Sequence, residues 1–294
     1  MQTSSAPVVD VCICTYRRPS LADTLRSIDS QAGLPPGAVR IIVADNDETP
    51  SARQLIDGVG PLRWPVVYLH APARNISVAR NACLDAAEAP FIAWIDDDEA
   101  ADPDWLAALL AGIGPDAAAF GPVAAVYPPS TPAWIRAADL HSIRPVVTRN
   151  GVVTGYTSNA LVRRSAIGTE RFLVGLGRSG GEDTEFFSRL HRQGARFRPV
   201  SDAVVREPTA SDRLSLAWLA RRAYRAGQTH ARGYIAAGRR LPGLAAASTK
   251  AVVCLAACGL FVFDGIRRRK AWVRAALHRG VVSRLLGARD LQLY

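Results

Sequence analysis

The sequence has no Cys-x-x-Cys pair and no cluster of histidines. Its five cysteines stand at 12, 14, 83, 254 and 258. This spacing excludes a zinc ribbon and a disulfide framework, and leaves buried free thiols in a reducing compartment as the expectation. No stretch near the start combines a basic segment with a long apolar one, so no secretory signal is expected. The Asn75-Ile76-Ser77 sequon would then go unused. No GxxxxGK[ST] loop occurs, and no GxGxxG comes after the first apolar run, which removes two common nucleotide-binding readings. Internal repeats and low-complexity tracts are also missing. Acidic residues are scarce at one end only. Residues 205–294 carry 17 Lys and Arg against four Asp and Glu, whereas residues 1–204 carry 19 against 22. The basic excess of the last third points to a polyanionic surface. No nucleic-acid motif accompanies it, so an anionic membrane surface is the expected partner and nucleic acid is not.

What is present is a long chain, 294 residues with 49% apolar side chains, enough for one large or two small globular domains with a sizeable core. Short apolar runs, VVDVCIC (8–14), RIIVAD (40–45), WPVVYL (64–69) and FIAWI (91–95), alternate with stretches of helical period. Strands alternating with helices predict βαβ units and a mostly parallel sheet. A fifth strand is expected over 117–126, further strand over 151–164, and a helix opening near Asp183 after a Gly-rich loop. Asp102 reads as a helix N-cap with Pro103 in the first turn. Past about residue 210 the pattern turns helical and Arg-rich.

The run FIAWIDDDEAADP (91–103) poses the sharpest question. An apolar strand stops at Asp96, Asp97, Asp98 and Glu99. Like charges a few ångströms apart repel by about 4 kcal/mol per pair at an effective dielectric near 20, so something cationic is expected to offset them. An EF-hand would place Gly where Ala101 stands. In an open α/β sheet, ligands bind at the carboxyl ends of the strands. Thr15-Tyr16-Arg17, Asp45-Asn46-Asp47 and Asp96-Asp97-Asp98 all fall there. A D-x-D at a strand end suits Mg²⁺ or Mn²⁺, held by one or two carboxylates and sharing its other positions with water and phosphate oxygens.

The ordered set CICTYRRP, VADNDE, ARNISVARNACLDAAEAPFIAWIDDDEAADPDWL and GGEDTEF resembles glycosyltransferase family 2, over roughly residues 8–205. Within that family it is most similar to bacterial enzymes of succinoglycan-type exopolysaccharide assembly. The resemblance implies a GT-A fold, a nucleotide-sugar donor (most often a UDP-sugar), a Mn²⁺ or Mg²⁺ cofactor and inverting transfer. It implies that Thr15, Tyr16 and Arg17 lie beside the nucleotide and that Asp45 contacts the base. Arg74, Arg80 and Asn81 would line the donor pocket. Asp98 would be the direct metal ligand, with Asp96 nearer the ribose or sugar and Asp97 between them. Asp183 would be the catalytic base, with Glu182 beside it. No Q/RxxRW motif of the processive synthases is found beyond it, which favours one sugar per encounter. Structural roles compete for several of these residues: Asp45 could open an Asx-turn, Arg74 and Arg80 could be surface charges, and Asn159 and Trp134 could face a sugar or serve the fold.

The expected division is a GT-A catalytic domain over 1–208 and a helical, basic, membrane-associating region over 209–294. AVVCLAACGLFVF (251–263) is an uncharged run of 13 residues followed by RRRK (267–270). An apolar helix beside basic faces predicts monotopic attachment to an anionic leaflet. A transmembrane hairpin and a lipid-free helical cap are the alternatives. The expected protein is a peripheral enzyme on the cytoplasmic face of a bacterial inner membrane, acting on a lipid-linked saccharide. The rival is a catalytically silent nucleotide-sugar-binding or scaffold protein. The chain carries no signal for an oligomeric state.

Overall fold

The computed structural model describes residues 6–291; the first five and last three residues of the two expected domains lie outside the described residues. The early elements are β1 (Val9–Thr15), α1 (Leu21–Asp29), β2 (Val39–Asp45), α2 (Ser51–Gly58), β3 (Val66–His70), α3 (Ile76–Ala86) and β4 (Phe91–Ile95). Next come β5 (Ala100–Ala101), α4 (Trp105–Gly112), β6 (Ala118–Phe120), β7 (Val123–Val126), α5 (Ala133–Ala138), β8 (Val147–Thr148), β9 (Gly151–Val152), β10 (Asn159–Arg163) and α6 (Arg164–Ile167). The last are α7 (Glu182–Arg192), β11 (Phe197–Pro199), β12 (Val205–Pro208), α8 (Leu216–Ala236), α9 (Arg240–Leu260) and α10 (Gly265–Leu285). Two compact units result. One holds the residues up to 125 with 142–178 and 182–208; the other holds 126–141, 179–181 and the residues from 209 on.

The first unit is built on a nine-stranded sheet in the order β3-β2-β1-β4-β10-β6-β11-β9-β8. Only β10 and β9 run against the others, so the sheet is mostly parallel. β1, β2 and β4 are almost wholly apolar because both of their faces are covered. One face packs on Leu25, Ile28, Trp64 and Trp105. The other packs on Trp94, Phe120, Phe172, Phe186 and Phe187, with Phe172 and Phe186 stacked at 4.1 Å. Cys12, Cys14 and Cys83 gather beneath that second face, and burial pushes all three thiols up. All five cysteines are free; Cys14, Cys254 and Cys258 are half-buried rather than buried. Asp10 is a buried carboxylate on β1, fully used: it accepts two bonds from Arg40 and the backbone N–H groups of Glu88 and Ala89. A buried charge paired in this way ties β1, β2 and the end of α3 together.

Three local expectations are corrected. The strand expected over 117–126 breaks into β6 and β7, which join different sheets. Gly121 lies so close to the Ala203 carbonyl that a Cβ would collide with it, and Pro122 has no N–H to give a ladder. Residues 151–164 likewise form β9 and β10 rather than one strand; between them Gly155 lies flat against the Phe120 ring, with no room for a side chain. Asp104, not Asp102, occupies the N-cap of α4. Asp102 instead accepts two bonds from Arg206 at 2.6 and 2.8 Å.

The second unit rests on α8, α9 and α10, each of 21 residues. α8 and α10 touch at Gly227 and Gly280, where a Cβ on either would strike the backbone of the other helix. Ala231, Ala247, Val281 and Leu285 form the small core. α9 is the one helix among the described residues long and apolar enough to cross a membrane by length and composition, and little of it is buried. The uncharged run 251–263 is not one helix: α9 ends at Leu260, and Val262 and Phe263 stand exposed in the turn before α10, Phe263 fully so. Trp134 lies under the Arg269 guanidinium at 4.8 Å, a role within the fold.

Phe187 is fully buried against Phe120, Phe186 and Phe197. Phe187→Ala is expected to cost about 3–5 kcal/mol, read as a fall in the urea midpoint without a change in slope.

Candidate active site

β1, β2 and β4 are parallel neighbours, so Thr15, Asp45 and the acidic run after Ile95 leave the sheet at one edge. The four carboxylates of that run do different things. Asp97 turns inward, and its Oδ2 accepts from the Thr15 hydroxyl at 2.6 Å. Burial pushes it to about 6, against the pull of that bond. Glu99 is buried, accepts from the Asp96 N–H at 2.9 Å, and is pushed well above the usual carboxylate range by burial. Asp96 is pushed to about 7 by burial and by repulsion from Asp98, Asp97 and Glu207, against the attraction of Arg80. Asp98 is the most open, with an Arg18 guanidinium nitrogen 3.7 Å away.

The second strand end is a self-contained loop. Asp45 accepts from Asp47 N at 3.0 Å, Ala52 N at 2.8 Å and the Tyr68 hydroxyl at 3.0 Å, an Asx-turn that also anchors α2. Arg17 adopts a left-handed backbone (φ 53°) and donates to Asp47 at 2.8 Å. That bond, above all, holds Asp47 below the ordinary carboxylate range. Tyr16 is exposed, with the Arg17 guanidinium over its ring. Arg74 is also left-handed (φ 45°) and half-exposed, and it pairs with Glu48 at 3.0 Å.

α3 supplies the cation that the acidic run demands. Asn75 caps its N-terminus by accepting from Ser77 N, which places Arg80 one turn further, buried behind the strand ends. Arg80 donates to Glu182 Oε1 and lies over the Phe172 ring. Burial alone would lower its affinity for the proton. The carboxylates of Glu182, Asp183 and Asp96 outweigh that and hold it above its ordinary value. One guanidinium therefore faces both the end of β4 and the start of α7. Burial and the neighbouring Glu182 push Asp183 up, while Arg80 opposes them. The second oxygen of Glu182 is buried without a partner.

The structure thus brings Asp96, Arg80, Glu182 and Asp183 together, and sets Thr15 and Asp97 as a bonded pair beside them. Asn81 is turned elsewhere: it exchanges two bonds with the Phe172 backbone, at 3.0 and 2.8 Å. Asn159 is spent on Trp105 Nε1 and the carbonyls of Pro122 and Ala203. Asp47 and Glu99, which the sequence places at this edge without an individual role, belong to the neighbourhood, and so do Arg18 and Glu207, to which it gives none. Nothing local to REP marks Glu207.

Among the described residues no three His, Cys, Asp or Glu side chains form a protein-only metal cage. The donor set is hard carboxylate oxygen without sulfur or imidazole. Such a set suits Mg²⁺ or Mn²⁺ completed by phosphate oxygens and water. A dication beside Asp96 and Asp98 would also relieve the repulsion that raises Asp96.

A mostly parallel sheet, acidic residues at its carboxyl edge and a carboxylate pair at a later helix start define a GT-A glycosyltransferase. Residues 10–169 match the glycosyl transferase family 2, and the chain belongs to that family. It is 45% identical to the succinoglycan biosynthesis protein ExoM of Rhizobium meliloti, across 97% of this chain and 95% of that protein. It is 33% identical to the glucosyl-dolichyl phosphate glucuronosyltransferase of Haloferax volcanii, over 38% of this chain and 37% of that protein. Among solved structures it is similar to the mannosyltransferase PcManGT of Pyrobaculum calidifontis in complex with GDP-Man and Mn²⁺. That likeness has a TM-score of 0.63 at 20% identity, covering 96% of this chain and 88% of that one. S. aureus TarS in complex with UDP-GlcNAc gives a TM-score of 0.54 at 19% identity, covering 69% and 59%. These two share the fold. Family membership favours the enzyme over the silent scaffold.

Arg80 and Glu182 are each more than nine-tenths buried. Arg80→Met leaves Glu182 charged and unpaired, and is expected to destabilise by about 3–5 kcal/mol. Arg80→Met combined with Glu182→Leu should recover most of that loss in the same chemical denaturation series.

Proposed function

We propose that the chain moves a sugar from a nucleotide-sugar donor, a UDP-sugar, to a lipid-linked saccharide in bacterial cell-surface polysaccharide assembly, with inversion at the anomeric carbon. The near full-length likeness to ExoM supports the pathway class. The observation that carries the chemistry is Arg80, a buried cation that donates to Glu182 and is held charged by Asp183 and Asp96 as well. In this reading the donor end and the proton-accepting end of a single displacement share one site around it.

In this reading Thr15, Tyr16 and Arg17 flank the nucleotide, with Asp45 and Asp47 shaping the loop beside it. Asp98 and Asp96 hold Mn²⁺ or Mg²⁺, which when bound offsets charge on the departing diphosphate. Asp183 takes the proton of the acceptor hydroxyl. Its raised affinity makes it a stronger base than an ordinary aspartate while leaving it ionised above its own pKa. Arg80 keeps Glu182 in place and limits how far Asp183 rises. Asn81 and Arg74 serve the walls: Asn81 by bonding Phe172, Arg74 through Glu48.

The helical unit fits attachment to an anionic leaflet. α9 exposes Val252, Val253, Leu255 and Leu260, and the turn after it exposes Val262 and Phe263. Arg267 and Arg268 stand exposed just beyond. An apolar face beside basic side chains binds by burial in the acyl boundary together with attraction to acidic headgroups. The attachment is peripheral or monotopic, on the cytoplasmic face of the inner membrane.

A thermal-shift and turnover panel of UDP-glucose, UDP-GlcNAc, UDP-glucuronic acid and GDP-mannose with Mn²⁺ or Mg²⁺ tests the donor. The acceptor in each case is a lipid extract of succinoglycan-producing cells. Asp183→Asn is expected to lower turnover at least 10²-fold while sparing donor binding. Asp98→Ala should lose both turnover and the metal-dependent part of the shift. Donor binding with no turnover in the wild type under any of these conditions would refute the transferase role.

The pH profile has a defined sign. Asp183 accepts a proton only when ionised, and its pKa is raised. The acid limb of kcat should therefore lie above the ordinary aspartate range, with activity falling as pH drops through it. A kcat that is flat down to pH 4 would exclude Asp183 as the base.

For the membrane, sedimentation with phosphatidylglycerol-rich vesicles should pull the protein down. Phe263→Asp should weaken that binding several-fold, and equal binding to neutral and anionic vesicles would remove the charge contribution.

A further inference from the structure

The three residues before the Glu182–Asp183 pair belong to the helical unit, not to the sheet unit. Ser179, Gly180 and Gly181 form no helix or strand, yet they are held closely. Arg225 Nε of α8 donates to the Ser179 carbonyl at 3.1 Å. Arg232, two turns further along α8, donates to the Gly180 carbonyl at 2.8 Å and to the Ser179 hydroxyl at 3.1 Å. Arg232 is itself held by Asp290 at 2.7 Å, whose other oxygen lies 3.3 Å from Arg284.

Both glycines are left-handed, at φ 80° and 83°. Neither position has space for a side chain. A Cβ on Gly180 would collide with the Arg225 guanidinium, and one on Gly181 would meet Thr229 and Arg232. Two successive left-handed glycines are the most freely rotating backbone a chain can have. Here two rigid guanidinium forks remove that freedom. A connecting loop between two units needs no such fit, but the start of a catalytic helix does. The chain passes from Gly181 directly into the first turn of α7, where Glu182 and Asp183 stand.

We propose that Arg225 and Arg232 are positioning residues for transfer, clamping the Ser179–Gly181 loop and so setting where Asp183 begins its helix. This rests on the reading of Asp183 as the base. The two arginines then fix the backbone of the residues that lead directly into Glu182 and Asp183. Misplacing a reacting group by about 1 Å costs on the order of 10²-fold in rate, so loosening the clamp should act on kcat and not on donor affinity.

The test uses the full chain, the nucleotide sugar giving the highest turnover among the four tried, and the same lipid extract. Arg225→Ala and Arg232→Ala are expected to lower kcat 10- to 100-fold. They should leave the donor dissociation constant within twofold and move the acid limb of the kcat–pH profile. Arg232→Lys, which keeps the charge but loses the fork, should restore little. Arg221→Ala, which removes an exposed charge from the same helix, should behave as wild type. If an arginine variant melts early, Gly181→Ala perturbs the loop from its own side, pressing on Thr229 and Arg232 while keeping both arginines, and should show the same kcat loss. Wild-type kcat in folded Arg225→Ala, Arg232→Ala and Gly181→Ala, alongside an inactive Asp183→Asn, would overturn the clamp and leave the base in place. An active Asp183→Asn would overturn both.

Discussion

A guanidinium buried among carboxylates is the constraint on which this site depends. Asp96 stands just past an apolar strand, Glu182 and Asp183 open a helix more than eighty residues later, and Arg80 sits on a third element. Without the cation, the push of burial and of Glu182 on Asp183 would go unopposed, and so would the push of burial on Asp96. With it, one acid pairs directly and the other two remain titratable. Burial makes this arrangement unforgiving, because removing one member of a buried pair leaves an uncompensated charge. Arg80 therefore links the fold to the chemistry. It needs α3 to be seated by its Asn75 cap, and the Phe172 ring to lie beneath it.

The parallel core was legible because its signal is local. Apolar runs at 8–14, 40–45 and 91–95 lie within a residue or two of β1, β2 and β4, since a strand covered on both faces is apolar almost throughout. The convergence of three polar strand ends is a matter of topology once the strands are parallel. The hidden features depend on distant partners. Nothing near Gly121 says that the Ala203 carbonyl will press against it and turn the strand into another sheet. Nothing near Asn81 says that its amide will be spent on Phe172. Asp97 and Asp98 are neighbours of one residue type, and only packing decides that one turns in to Thr15 while the other stays open.

The helical unit shows the same division. Its basic charge and its apolar stretch are compositional and could be read directly. The break at Leu260 could not, because the run of uncharged residues continues unchanged through the turn. Glycine was the overlooked signal. Gly227 and Gly280 permit α8 and α10 to touch backbone to backbone, and Gly180 and Gly181 permit two arginines to reach main-chain oxygens.

The thiols carry a practical consequence for anyone labelling this protein. Cys12, Cys14 and Cys83 are packed against one another under the sheet and kept protonated by their surroundings, so they react slowly with maleimides. Cys254 and Cys258 lie half-exposed on α9. A thiol-reactive fluorophore would therefore favour the helical unit, without any cysteine being engineered in or out, and its emission would report whether that helix sits in water or in lipid.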